Sequence, residues 1–353
     1  MIASVLLATA AAARPSFMRP PTALRLTAAL STRPPRTRRP LACETSFARV
    51  EDGDAKAPFT RAPKPPPPPE LPPTPNGIVV AYKPLNWTSF DVVAKARGCM
   101  ESDLRAVGHE FRRRSRLKVG HGGTLDPMAE GLLVLGVGTA CRELEGYLKG
   151  GKAYRATAKL GEETDTQDAT GAVIREGPIS HVTLAELQLA AAALTGTIMQ
   201  RPPIYSALRR DGKRLHELAR EGKVSEEDVP KREATVYSMD VTNFDEAQGT
   251  FDLSIRCGGG TYVRTLIVDL ARAVGSAAHM TALVRTQVGP FSIEESRGAE
   301  DWSTVVTPLR EESFGDSSRY YAAIEESAVV LEKVDARRAA AEAAAGGGAA
   351  QAA

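Results

Sequence analysis

KVGHGGTLDPMAE, residues 118–130, is the stretch on which the placing of every other segment turns. Gly120, Gly122 and Gly123 permit backbone conformations closed to other residues and let a ligand approach closely, while Pro127 fixes the turn just behind Asp126. A carboxylate is displayed there, with His121 nearby. An ordinary solvated turn fits this stretch equally well when it is read alone, so its meaning depends on the segments around it.

The chain has 353 residues, 42% of them hydrophobic, enough for one large or two modest domains with a real core. Net charge is only +2, so a polyanion must bind through a local patch. Cys43, Cys99, Cys141 and Cys257 are far apart and form no CxxC pair, which disfavours a disulfide scaffold or a zinc site and leaves buried neutral thiols as the default. No apolar run reaches the roughly 18 residues needed to span a bilayer.

The first 43 residues contain no acid but carry Arg14, Arg19, Arg25, Arg33, Arg36, Arg38 and Arg39 among Ala, Ser, Thr and Pro, the composition of an organelle transit peptide. The apolar start at residues 2–13 also suits a secretory signal, and a two-part plastid leader reconciles the two; a disordered basic tail is the bland alternative. Residues 62–74, APKPPPPPELPPT, form a stiff polyproline spacer that cannot join a packed core. These features divide the chain into a targeting peptide (1–45), a disordered Pro-rich linker (46–76), a folded domain (77–300) and a short extension ending in a disordered Ala/Gly-rich tail (301–353). Plastid localisation is expected, with the mitochondrion as alternative.

Within the folded part, strands and helices alternate. GIVVAY (77–82) reads as a short buried strand ended by Lys83 and Pro84, which sets Lys83 at a strand end, and Thr88 with Asp91 forms a capping box that opens a helix through Ala96. A basic run follows, with Arg105, His109, Arg112, Arg113, Arg114, Arg116 and Lys118 leading into the opening stretch. A charge run is usually a solvated face; beside a displayed acid it reads as a phosphate-binding approach. Residues 131–137 read as a buried strand, 139–148 as a helix, and KAYRATAKL (152–160) as a strand carrying Lys152 and Tyr154. GEETDTQDATG (161–171) is an acidic loop that lacks the EF-hand pattern, so Asp165 and Asp168 are assigned to turns and caps. Residues 183–194 predict a helix closed by Gly196. Pro202 and Pro203 then force an extended stretch before Tyr205, followed by Arg209 and a helix over 214–220. Residues 250–257 alternate apolar and polar as a half-buried strand ending in Gly258, Gly259 and Gly260, where a helix begins. That helix seats Arg264 in its first turn, against the helix dipole, so a carboxylate partner is needed unless the side chain bends toward water.

The set GIVVAYKPLNWTSFDVV (from Gly77), KVGHGGTLDPMAEGLL (from Lys118), KAYRATAKLGEETDTQDATG (from Lys152), QRPPIYSALRRDGKRLHELAREG (from Gln200) and CGGGTYVRTLIVDL (from Cys257) resembles the TruB family of tRNA pseudouridine synthases, in the family's own order and over residues 77 to about 291. The resemblance implies an isomerase, an intramolecular transferase, that converts the uridine at position 55 in the tRNA T-loop to pseudouridine without cofactor or metal. It implies an α+β pseudouridine synthase fold, a mixed and mainly antiparallel sheet flanked by helices with a central RNA-binding cleft. The implied catalytic residues are Asp126, Arg264 and Tyr154. Asp126 serves as the nucleophilic or charge-stabilising carboxylate, Arg264 as its charge partner, and Tyr154 stacks on the flipped uracil and takes the C5 proton. To substrate or RNA are assigned Leu283 against the other side of the base, His121 at the vacated stack, Lys83 in support of the site or the RNA backbone, Gly120, Gly122, Gly123, Lys152, Tyr205 and Arg209, together with Arg112, Arg113, Arg114 and Arg116. The expected partner is the tRNA T-arm; a monomer is expected, with no membrane contact.

The chemistry suits this assignment. Moving the attachment of uracil from N1 to C5 needs one carboxylate, and the lack of a second evident catalytic acid argues against glycoside hydrolysis. The sequence departs from the family pattern at Gly122, at His216 where Tyr is common, at Gly259 where Lys is frequent and at Val284 where Arg is frequent. The segment from Lys83 to His121 is longer and more basic than usual and could restore the lost charge through Arg112–Arg116. No complete PUA-type domain follows, so RNA binding is expected to rest on the catalytic domain. Two other classes stay open: a catalytically idle RNA-binding or tRNA-folding module, and another base-flipping enzyme such as a glycosylase.

Overall fold

The computed structural model describes residues 71–210, 212–294 and 303–349, with side chains described as far as residue 340; the leader and most of the Pro-rich linker lie outside the described residues. In chain order the elements are β1 (Gly77–Lys83), α1 (Ser89–Ala106), β2 (Val119–His121), β3 (Ala129–Val137), a short 3-10 helix (Gly138–Arg142), α2 (Leu144–Lys149) and β4 (Lys152–Leu160). Next come β5 (Glu162–Thr164), β6 (Val173–Glu176), α3 (Leu184–Ala193), β7 (Gly196–Gln200), β8 (Arg209–Arg210), β9 (Lys213–Arg214) and α4 (Leu215–Arg220). The last are β10 (Arg232–Asp245), β11 (Thr250–Cys257), α5 (Val263–Ala273), β12 (Ala278–Val288), β13 (Phe291–Ser292), β14 (Thr304–Val305) and α6 (Ser317–Ala349).

One mixed sheet runs β1-β3-β12-β4-β11-β10-β7, with β2, β13 and β14 attached off that path. Its pairings are antiparallel except β3 with β12 and β13 with β14. This is the α+β, mainly antiparallel architecture flanked by helices that the sequence led us to expect. The parallel β3–β12 pair matters most, because it sets Leu283 beside Ala129 and Arg285 beside Gly131, directly behind the Asp126 loop. Gly131 has φ +108°, and a Cβ there would lie 2.3 Å from the carbonyl oxygen of Arg285, so only glycine fits.

Local chemistry sets the helix starts. Thr88 and Asp91 form the anticipated capping box, and Thr183 with Glu186 forms a second at α3. The first helix, expected to end at Ala96, continues to Ala106. Met100 and Leu104 extend the buried stripe of Val92, Val93 and Ala96, and that burial outweighs the cost of about 1 kcal/mol for Gly98 inside a helix. The helix expected over 139–148 divides into the 3-10 turn and α2.

The chain is anchored earlier than Gly77. Pro75 is buried, and Asn76 Oδ1 accepts from Thr139 N (2.7 Å) and Ala140 N (3.2 Å), so these two residues, expected to be linker, are held by a helix end that needs an acceptor.

Residues 303–349 pack against the domain. Leu309 N donates to Val80 O (2.9 Å) and Tyr82 N donates to Leu309 O (2.8 Å), which covers the outer edge of β1. Phe314, Tyr320 and Ala323 then join the core formed by β1, α1 and β3. The Ala-rich run, expected to be partly helical and then disordered, is helical to Ala349. Alanine is the best helix former, and Tyr320, Ala323, Ser327 and Val334 continue a buried stripe along the same helix.

A fully buried carboxylate closes the long segment between α1 and β2. Glu101 accepts from Arg116 Nη2 (3.0 Å), Arg105 Nη2 (3.1 Å) and Leu117 N (2.9 Å). Burial raises its pKa, but hydrogen bonds from Arg116 and Leu117 outweigh that and leave the group below its ordinary value. Glu101 thus stabilises the fold above its unfolded pKa of about 4.3 and loses that contribution as pH falls through the lower folded value. Glu101→Ala is expected to cost about 1–3 kcal/mol at pH 7. In urea titrations the gap from the parent protein should close as the pH is lowered through 4, and a constant gap would be the contrary result.

Candidate active site

The loop carrying Asp126 is tied from below. Ser89 Oγ donates to Leu125 O (3.2 Å) and accepts from Leu125 N (2.8 Å), and Ala129 N donates to Asp126 O (3.0 Å). Lys83, expected to support the site or the RNA backbone, is fully buried beneath this loop. Its Nζ donates to Trp87 O (2.6 Å), Pro84 O (2.8 Å) and Pro127 O (3.3 Å), and burial brings its pKa down to about 8, opposed by the charges of Glu130 and Asp126. A lysine with all its donors committed to backbone supports the loop and cannot reach a phosphate.

Arg264 meets Asp126 from α5. Its Nη2 lies 2.9 Å from Asp126 Oδ2, with the arginine side chain 5% and the aspartate side chain 36% exposed. Nη1 donates to Thr166 O (2.7 Å), Nη2 donates to Tyr205 O (3.0 Å), and Asp168 Oδ2 stands 3.7 Å from Nη1. The compensation that the helix dipole demands therefore comes from two carboxylates. Asp168 was assigned to a turn; its Oδ1 does accept from Thr166 Oγ1 (2.7 Å) and Thr170 N (2.9 Å), but its other oxygen faces the guanidinium. Gln167, at φ +63°, folds this acidic loop back so that its side chain accepts from Thr265 Oγ1 (2.9 Å). The signal that could have found Asp168 was the arginine itself, since one partly exposed acid leaves a buried cation short of opposing charge.

One oxygen of Asp126, Oδ2, is thus fixed, while Oδ1 has no hydrogen bond among the described residues. Leu283 and Tyr154 are both buried and share a cluster with Leu125 and Ala129, next to the loop. Burial pushes the Tyr154 phenol up to about 12. His121 is held below its ordinary pKa, by burial first and then by the charges of Arg285 and Arg214.

Several assigned residues serve packing. A Cβ at Gly122 would lie 2.7 Å from Tyr147, and one at Gly120 would lie 3.0 Å from Leu144. Both glycines therefore make room for α2 and not for a ligand; Gly123, at φ +145°, is the one that needs glycine's backbone freedom. Lys152 is likewise buried, donating Nζ to Tyr147 O (3.0 Å), Leu148 O (2.9 Å) and Gly150 O (2.8 Å), where it caps the C-terminal carbonyls of α2. Arg116 is tied to Glu101, whereas Arg112, Arg113 and Arg114 are exposed and Arg112 pairs with Glu110. Arg209 is exposed on the β8–β9 hairpin, and the Tyr205 hydroxyl donates to Asp165 (3.3 Å).

The departures from the family pattern have local reasons. A Cβ at Gly259 would meet Leu148 O at 2.4 Å, so this backbone path leaves no space for a lysine. His216 Nδ1 lies 3.0 Å from Ser206 O and ties α4 to the segment after Tyr205. Beside Val284, Arg285 is the cation that sequence reading passed over; it is fully buried behind Gly123.

Residues 111–263 match the family model described as TruB family pseudouridylate synthase (N terminal domain), and residues 264–315 match tRNA pseudouridylate synthase B C-terminal domain. The chain is 38% identical over 232 residues to Pseudouridylate synthase TRUB1 of Homo sapiens, covering 65% of this chain and 66% of that one, just under two thirds of the human protein. It is 40% identical over 245 residues to tRNA pseudouridine synthase B of Thermobifida fusca, covering 67% and 78%. With the protein of the same name from Corynebacterium efficiens it shares 43% identity over 223 residues, 63% of this chain and 70% of that one. Among solved structures, a chain in the Crystal Structure of a Cbf5-Nop10-Gar1 Complex aligns with a TM-score of 0.47 at 24% identity, over 70% of this chain and 59% of that one. On the strength of the relatives near 40% identity and the two adjoining family models, the chain belongs to the TruB family of pseudouridine synthases.

Proposed function

We propose that this pseudouridine synthase acts on tRNA, at the T-loop uridine of position 55, with Asp126 as the catalytic carboxylate. The observation that carries the reading is the Asp126–Arg264 pair, in which one carboxylate oxygen is held at 2.9 Å and the other is left without a hydrogen bond among the described residues. In the isomerisation the N1–C1′ bond breaks, the uracil turns, a C5–C1′ bond forms, and the base loses a proton at C5 while gaining one at N1. Asp126 meets the electron-deficient sugar or base through its free oxygen, as nucleophile or charge stabiliser. Arg264 keeps the carboxylate oriented, and two acids around one guanidinium leave net negative charge where positive charge develops. Tyr154 and Leu283 bracket the flipped base, whose extrusion costs a few kcal/mol, and Tyr154 takes the C5 proton.

RNA contact is assigned to His121 at the vacated stack, Tyr205, Arg209 and the exposed Arg112, Arg113 and Arg114, in a monomeric enzyme needing no cofactor. The acid-free arginine-rich leader is proposed to address a plastid, with the mitochondrion as the alternative. A fusion of residues 1–76 to a fluorescent protein should enter that organelle, and diffuse cytosolic fluorescence would sink the address.

Incubating the protein with unmodified tRNA and mapping pseudouridine tests the main reading. Product is expected at position 55 with RNA mass unchanged; loss of a base would indicate a glycosylase, and binding without product an idle module. Asp126→Asn should lower the single-turnover rate by about a thousandfold or more with tRNA affinity nearly intact. Arg264→Lys, which cannot reproduce the guanidinium's fork, should also lower the rate far more than the affinity. Neutralising Arg112, Arg113 and Arg114 together should weaken tRNA binding and flatten its salt dependence by about 2–3 in log–log slope; an unchanged slope removes them from the interface.

A further inference from the structure

One buried cation has no part in the chemistry described so far. Arg285 is 1% exposed in β12, and no carboxylate pairs with it among the described residues. A guanidinium stays charged in proteins, so enclosing one without a counter-ion carries a large desolvation cost that an apolar residue would avoid. Its contacts show where that charge is directed. Nε donates to Leu132 O (2.7 Å), and Nη2 donates to Gly123 O (3.1 Å), a carbonyl of the loop that carries Asp126. In the antiparallel β4–β12 ladder, Arg285 stands directly opposite Tyr154, which puts both side chains on one face of the sheet, and the guanidinium charge favours the ionised phenol.

We propose that Arg285 is a positioning residue for the isomerisation, fixing the Tyr154 hydroxyl and the Gly123 carbonyl together and balancing the negative charge on the phenol oxygen during proton transfer. The inference rests on the role given to Tyr154 above. The step balances within the site: the phenol gives its proton to N1, the nitrogen freed from the sugar, and its oxygen takes the proton from C5. Uracil loses one proton and gains one, and the tyrosine ends as it began. Without an opposing charge, that oxygen would have to turn negative in a buried site where the charge of Asp126 also works against ionisation. Arg285, across the ladder from Tyr154, favours it. The same charge bears on Lys83, His121 and Lys152, so pH profiles of variants must be read with those groups in view.

The test uses the full chain and unmodified tRNA under single-turnover conditions. Arg285→Met should lower the rate by about a hundredfold or more, within the usual range for losing assisted proton transfer, while tRNA Kd changes by less than about threefold. Arg285→Lys should recover at least about tenfold of that loss, because the cation returns. In a Tyr154→Phe background, Arg285→Met should cost less than about threefold further, since the two act as a unit. An unchanged rate in Arg285→Met, or a full multiplicative loss in the Tyr154→Phe background, overturns the proposal. If Arg285→Met fails to fold, the 13Cζ resonance of Tyr154 in the free protein, assigned by its loss in Tyr154→Phe, gives a reading through Arg285→Lys. A shifted resonance supports the contact and an unmoved one overturns it. Absence of pseudouridine with the parent protein would sink the functional reading instead, and the resonance would still judge the pairing.

Discussion

The guanidinium of Arg264 is the constraint on which the site depends. Placed in the first turn of α5, where the helix dipole is already positive, it is nearly enclosed and must find opposing charge. It does so by drawing together segments far apart in the chain: Asp126 after β2, Thr166 and Asp168 after β5, and Tyr205 after β7. Each contact also limits what the partner can do. Asp126 keeps one oxygen unengaged, Asp168 is held by the hydroxyls and amides of its own loop, and Tyr205 offers only its carbonyl, leaving its ring and hydroxyl outward toward Asp165.

A second group of buried cations works on backbone carbonyls. Lys83 gathers Pro84, Trp87 and Pro127, Lys152 gathers the end of α2, and Arg285 gathers Leu132 and Gly123. Together they hold the Asp126 loop and the helix beside it without spending a carboxylate. Orphan carbonyls at strand ends and helix C-termini need donors, and an ammonium or guanidinium supplies several at once. This explains why residues that look like phosphate contacts in sequence lie under the site and not at its mouth. It also puts the glycines in a different light: Gly120 and Gly122 allow α2 to pack closely, and Gly131 allows β3 and β12 to pair.

Much of the fold was legible because its signals are local. The capping box at Thr88, the helix after Thr183, the alternation over 250–257 and the buried run after Gly131 each follow from neighbours within a few residues. The helix that should have stopped at Ala96 went on because Met100 and Leu104 had a core to enter, which no local pattern reveals. Likewise, no local pattern shows that the extension after residue 303 has a core to join. It packs because β1 is the outer strand and its edge and face need cover, which Leu309, Phe314 and Tyr320 supply.

By itself the sequence determined the family motifs, the displayed Asp126, and the need of Arg264 for an acid. Those are statements about residue types and their immediate spacing, and motif chemistry is local in that sense. Tertiary structure alone decided that Asp168 shares the arginine, that Arg285 stands behind Gly123 and opposite Tyr154, and that Lys83 and Lys152 are structural. The physical reason is that a charged group's role depends on its desolvation and on the partners it meets. Both are fixed by strand pairing between segments more than a hundred residues apart, such as β3 with β12.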